Sequence, residues 1–156
     1  MKEKIINSNS SIGIAGEFFV AAELTRRGYI ASLTGKNTKA IDILASNKDG
    51  SKSVAIQVKT SNNEMVNRWM MTKKLEEIFN DNLFYVLVNM NEGKMPSYYV
   101  VPSTFLAEKI KNEYENWLNS PEYQGKKHNE TTMRIFIFVD ESERLKYHEA
   151  WHLLGL

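Results

Sequence analysis

Cysteine is missing from all 156 residues, which removes disulfide frameworks, thiolate zinc sites and cysteine nucleophiles in one step. A reducing cytoplasm is compatible with that absence. No apolar run is long enough for a signal segment or a membrane span, so the sequence predicts a cytoplasmic protein with no membrane partner. Strong charge of either sign is missing too: the net charge is +1, which gives no global case for a basic nucleic-acid-binding domain. There is no internal repeat, low-complexity tract or interdomain linker. What remains is 42% hydrophobic and 25% charged, ordinary globular values. A chain of this length can bury a core without staples, and one domain over residues 1–156 is expected.

Charge is uneven along the chain. Arg26, Arg27, Lys36, Lys39, Lys48, Lys52 and Lys59 face only Asp42 and Asp49 in the same stretch. A phosphate backbone would favour that region; lysines that merely solvate loops are the alternative.

Asn9 and Ser10 offer N-cap oxygens before an apolar-periodic run from Ile12 to Arg27, with Gly28 placed as a C-cap glycine, which predicts a first helix. Three β-rich runs follow, Tyr29 to Leu33, Ile41 to Ala45 and Val54 to Val58. Turn clusters at Gly35 to Asn37 and Asn47 to Gly50 part them, as in an antiparallel meander. A short helix is expected over Met71 to Asn80, strands over Leu83 to Asn89 and Tyr98 to Val101, and a longer helix through Leu118. Asn119 to Glu130 reads as a loop, Ile135 to Val139 as a buried strand and Ser142 to Leu154 as a closing helix. This order predicts an α/β fold, a mixed central sheet flanked by helices.

Within the third strand Gln57 and Lys59 fall on one face. Asp42 interrupts the apolar sequence of Ile41, Ile43 and Leu44, where strand propensity disfavours aspartate. A hairpin at Asn47 to Gly50 would bring it opposite about residue 56, near Gln57. An edge salt bridge from Asp42 to Lys59 is the plainer alternative. Glu17 has Ile14 three residues before it and Val20, Ala21 and Leu24 at three, four and seven after it, so its carboxylate sits among apolar neighbours. The remedies for such burial are a metal, a cation or an altered pKa, and a Glu17 to Lys59 bridge is the structural alternative. Glu23, followed by Arg26 and Arg27, reads as solvated and charge-paired.

A glutamate on the first helix, an aspartate on the second strand and a Gln-x-Lys pair on the third, all within residues 12–60, resemble the PD-(D/E)XK restriction-endonuclease-like nuclease superfamily. Gln57 departs from the superfamily's common acid and is similar to the glutamine of Mrr-type endonucleases. The resemblance implies an αβββαβ core and a nuclease that cleaves phosphodiester bonds with Mg²⁺ or Mn²⁺. It also implies nucleic acid as partner, DNA ahead of RNA, and a homodimer where both strands of a duplex are cut. Asp42, Gln57, the Val58 carbonyl and Glu17 would hold the metal, and Lys59 would orient the attacking water and offset developing charge. A nuclease fold that binds nucleic acid or a protein without cleaving is the first alternative.

The sequence His148-Glu149-Ala150-Trp151-His152 fits H-E-x-x-H, in which two histidines four apart on one helix hold Zn²⁺. The third ligand of the longer metzincin pattern would fall at position 158, beyond Leu156. A zinc metalloprotease is therefore the remote alternative, and an amphipathic closing helix with edge histidines the simpler one. Most aromatics lie in or beside apolar elements and read as core. Trp69 is the exception: with Arg68 beside it and Lys73 and Lys74 after it, it is a candidate nucleic-acid contact.

Overall fold

The computed structural model describes residues 9–35, 40–62, 67–121 and 125–156. Lys36 and Lys39, with parts of the turn after Gly35 and of the loop after Asn119, lie outside the described residues. Helix α1 (Asn9–Arg26) leads into strands β1 (Ile30–Leu33), β2 (Ile43–Ser46) and β3 (Ser53–Ser61). These pair antiparallel in sequence, Ile30↔Ser46 through Leu33↔Ile43 and Ile43↔Ile56 through Ser46↔Ser53, as the turn signals predict. The next two main-sheet strands are β5 (Leu83–Asn89), parallel to β3, and β6 (Ser97–Pro102), antiparallel to β5. The main sheet has the order β1-β2-β3-β5-β6, and it is mixed because the chain must cross over between β3 and β5. Among the described residues no helix is long and apolar enough to cross a membrane.

Strand period divides the core. Val54, Ile56 and Val58 turn one face of β3 toward Val20 and Leu24 of α1, with Trp151 and Leu154 in the same cluster. On the other face Tyr85 and Leu87 of β5 pack with Leu106 and Ile110 of α2 (Ser103–Leu118). The alternate positions of β3 on that face are Ala55, Gln57 and Lys59, all partly exposed.

Two elements differ from the sequence expectation. The segment expected as a helix from Met71 is strand β4 (Arg68–Thr72) followed by a 3₁₀ turn, Lys73–Glu77. Its alternation is hidden by adjacent Met70 and Met71, and the strand exists because it pairs with β7 (Met133–Ile137), Arg68↔Ile137 through Thr72↔Met133. Trp69 consequently points into the core at 1% exposure and donates its indole N–H to Val88 O at 2.9 Å. It therefore offers no surface to a nucleobase.

The closing helix is broken as well. Helix α3 (Glu141–Tyr147) starts at Asp140, whose Oδ1 accepts from the Glu143 N–H at 2.8 Å, and stops before His148. Glu149 has φ +51°, a conformation costly for a side-chain-bearing residue. Its N–H donates to Tyr98 O at 2.9 Å, and a second 3₁₀ turn, Trp151–Leu154, follows. His148 and His152 thus stand on either side of a chain reversal and not on one helix face.

Candidate active site

Strand β2 leaves β3 early. Their pairing stops at Ile43↔Ile56, while β3 continues beside β5 to Ser61. Asp42 stands at the fork, its N–H donating to Ile56 O at 2.9 Å and its Oδ2 accepting from the Val58 N–H at 2.7 Å. One carboxylate oxygen therefore replaces the lost strand, which compensates an aspartate in a strand-like sequence. The other oxygen takes no part in that bond. On either side of these contacts along β3, Ala55 donates to Asn82 O and Ser61 O accepts from the Met90 N–H, each at 2.8 Å, so odd-numbered positions bond toward β5. The N–H and C=O of Val58 both turn the other way, and its carbonyl faces the gap beside Asp42.

Glu17 reaches this fork because α1 lies close on β3. A Cβ at Gly16 would collide with Thr60 Oγ1, so only glycine permits that approach. The half-buried Glu17 carboxyl binds its proton more tightly than an ordinary carboxyl does, first because burial disfavours the charge and second because Asp42 repels it. The cation that could relieve this pair does not. Lys59 is half-buried and forms no ion pair among the described residues, so neither a Glu17 to Lys59 nor an Asp42 to Lys59 bridge is present.

Gln57 lies on the strand face it shares with Lys59, one step past the last pair of the β2–β3 ladder. Its Oε1 is buried with no hydrogen-bond partner, a condition that costs about 1–3 kcal/mol. The structure brings Glu17 near enough to Asp42 for the two carboxyls to repel and ties Asp42 to Val58, next to Gln57 on β3, although Gln57 and Lys59 lie on the face of β3 opposite the one that packs on α1. Oxygens of these kinds suit a hard divalent ion such as Mg²⁺ or Mn²⁺. Such an ion would take up the unshared oxygen and cancel the repulsion between Glu17 and Asp42.

The remaining polar features are elsewhere. Arg26 pairs with Glu23 at 2.8 Å, Arg27 with Glu149 at 2.9 Å, and Lys52 donates to Gly155 O at 3.2 Å, so these cations of the basic stretch have local partners. Two hollows of about 430 and 440 Å³ lie between α2 and β7 around Tyr114 and Arg134, and none of the four candidate residues lines them. No group of three or more acidic or imidazole side chains gathers to hold a metal among the described residues. Gly16 and Thr60 were not singled out from sequence, although an isolated glycine inside a helical pattern is a signal of close approach.

No protein-family model matches the chain, and no curated protein does. Among solved structures the bacterial homing endonuclease I-Ssp6803I superposes with a TM-score of 0.57 over 96% of this chain and 94% of its own, at 16% identity. Hjc of Archaeoglobus fulgidus, a Holliday junction resolvase from an archaeal hyperthermophile, superposes with a TM-score of 0.53 over 92% of this chain and 95% of its own, at 15% identity. Both are restriction-endonuclease-like nucleases, and at these identities the likeness is one of fold.

Proposed function

We propose that this chain, which has the restriction-endonuclease-like fold, is a metal-dependent nuclease that hydrolyses phosphodiester bonds in DNA, with Gln57 and Lys59 forming a Gln-x-Lys variant similar to that of Mrr-type endonucleases. The observation that carries the reading is the buried, unpartnered Gln57 Oε1 one residue before the Val58 N–H that binds Asp42, whose charge in turn repels Glu17. The free oxygen of Asp42, Gln57 Oε1, the Val58 carbonyl and Glu17 would hold Mg²⁺ or Mn²⁺. When bound, the ion supplies charge compensation at the scissile phosphate and makes nearby water more acidic.

The chain's own groups do the rest. Asp42 is fixed by the Val58 N–H, so its remaining oxygen is held in place before any ligand arrives. Lys59, free of ion pairs among the described residues, orients the attacking water and offsets negative charge growing on the phosphate oxygens. DNA is preferred over RNA as substrate because the fold neighbours are a homing endonuclease and a Holliday junction resolvase. Cutting both strands of a duplex needs two such sites, hence a homodimer.

Two features favour a second reading, a domain that binds without cleaving. Gln57 brings no charge to a site whose common form has a third acid, and the net charge is only +1. Incubation with duplex DNA, branched DNA and RNA, in Mg²⁺, Mn²⁺ or EDTA, separates the two. The nuclease reading expects cleavage that needs the metal and disappears in Lys59→Ala. Retention of substrate with no cleavage under any metal condition would establish the binding module in its place.

A further inference from the structure

Three buried side-chain polar atoms among the described residues have no hydrogen-bond partner: Gln57 Oε1, Thr60 Oγ1 and Tyr85 OH. Roughly nine in ten buried polar groups are paired in folded proteins, so each orphan calls for a cause. Thr60 has a local one. The Cα–H of Gly16 points where a Cβ would strike Thr60 Oγ1, and a Cα–H is a weak donor to such an oxygen.

The residues that carry the other two orphans are neighbours across the sheet, although the two atoms are not hydrogen-bonded to each other. Gln57 and Tyr85 are register partners in the parallel pairing of β3 with β5, and register partners project to the same face about 4.8 Å apart. The strand order β2-β3-β5 puts Asp42 on one flank of Gln57 and Tyr85 on the other. Tyr85 is fully buried in a strand that is apolar at every other position but Asn89. Burial pushes its phenol up to about 12, so the hydroxyl stays neutral and its oxygen can accept a hydrogen bond throughout the physiological range. A glutamine has one acceptor end and one donor end. Turning Oε1 toward the Asp42 flank turns Nε2 toward the Tyr85 flank.

We propose that Tyr85, whose hydroxyl has no partner without metal, is a positioning residue: when a divalent ion binds at the fork, it accepts a hydrogen bond from Gln57 Nε2 and so presents Gln57 Oε1 to the ion. The inference rests on the metal-dependent reading of the site. It gives both ends of the amide at position 57 a use, Nε2 as donor to the phenol oxygen and Oε1 as ligand to the ion.

Thermal melts of the full chain and of Tyr85→Phe across a Mg²⁺ titration test it. Without metal the hydroxyl is an unpaired buried group, so Tyr85→Phe is expected to melt about 2–4 °C higher than wild type. With metal the anchor is missing, and the Mg²⁺ concentration giving half the full thermal shift is expected to rise about tenfold. A merely structural tyrosine would move the first quantity and leave the second alone. A Tyr85→Phe titration midpoint equal to that of wild type overturns the positioning role while leaving the metal site standing. A lower metal-free melting temperature overturns it too, since the hydroxyl would then already have a partner. A wild type that shows no shift with Mg²⁺ or Mn²⁺ overturns this inference and the metal-dependent reading together.

Discussion

The fork between β2 and β3 and the turn from His148 to Trp151 are both rich in polar side chains, and they handle them in opposite ways. At the turn every strong group has a partner. Glu149 pairs with Arg27 at 2.9 Å and accepts the Trp151 indole N–H at 2.7 Å, the Arg27 guanidinium lies 5.1 Å from the Trp151 ring centroid, and His148 packs against the Tyr99 ring. At the fork two carboxyls repel, a lysine has no ion pair among the described residues, and an amide oxygen is buried alone. The turn carries the sharper sequence pattern, H-E-x-x-H, yet its residues satisfy one another and close the fold. The fork carries the vaguer pattern, and there Gln57 Oε1 is without a partner within the chain. Unsatisfied polar groups, which cost stability, are the better guide to chemistry than motif sharpness.

The largest expected difference between the two regions is in cleavage rate. Asp42→Asn keeps an oxygen for the Val58 N–H but removes the charge, and cleavage in Mg²⁺ should fall about 10²–10³-fold. His148→Ala, at the turn, should leave the rate unchanged on the same substrate. A rate insensitive to Asp42→Asn, or one lost in His148→Ala, would reverse the assignment of the two regions.

Stability should show the opposite sensitivity. Glu149→Ala leaves Arg27 with only its longer contact to Glu23, at 3.4 Å, and leaves the indole N–H of the buried Trp151 without its acceptor. The Glu149 side chain is 39% exposed, so solvent screening limits the loss to about 1 kcal/mol. Urea unfolding measures it, and the thermal response to Mg²⁺ should not move.

A smaller effect, with its sign set by Glu17, belongs to the fork. A carboxyl that binds its proton more tightly in the folded chain favours folding below the ordinary carboxylate range and loses that contribution as pH rises through its raised value. Metal-free Glu17→Gln should therefore melt above wild type at pH 7, with the gap closing as pH falls through the carboxylate range. Melts across pH in EDTA check this, and an equal or lower melting temperature for the mutant at pH 7 would mean that Glu17 is not under strain.

How far the sequence alone reveals these regions depends on how far away the deciding contacts are. The strands β5 and β6 are legible because their apolar runs are bounded by turn residues and need no distant partner to be recognised. Asp42 and Gln57 come near each other through a hairpin whose turn, Asn47 to Gly50, is local, so their approach can be read from register. Strand β4 is not legible, because its pairing with β7 joins Arg68 to Ile137 and overrides a segment whose Lys73–Glu77 part looks helical. Nor is the break at Glu149, whose left-handed backbone is held by Tyr98 and Arg27 from far along the chain. The Tyr85 hydroxyl is hidden for another reason: a tyrosine inside Leu83–Asn89 reads as one more core aromatic until the structure shows its oxygen alone.

The central claim is that Gln57 faces a divalent ion, and Gln57→Glu tests it most directly because it adds one charge with almost no change of shape. Thermal melts of wild type and mutant are compared across a Mg²⁺ titration. Without metal a third carboxylate beside Glu17 and Asp42 should lower the melting temperature. With Mg²⁺ the added charge becomes a ligand, so the mutant should bind the ion more tightly and gain more stability than wild type on its addition. A mutant whose response to Mg²⁺ matches that of wild type would contradict the account, since Gln57 could not then face the ion.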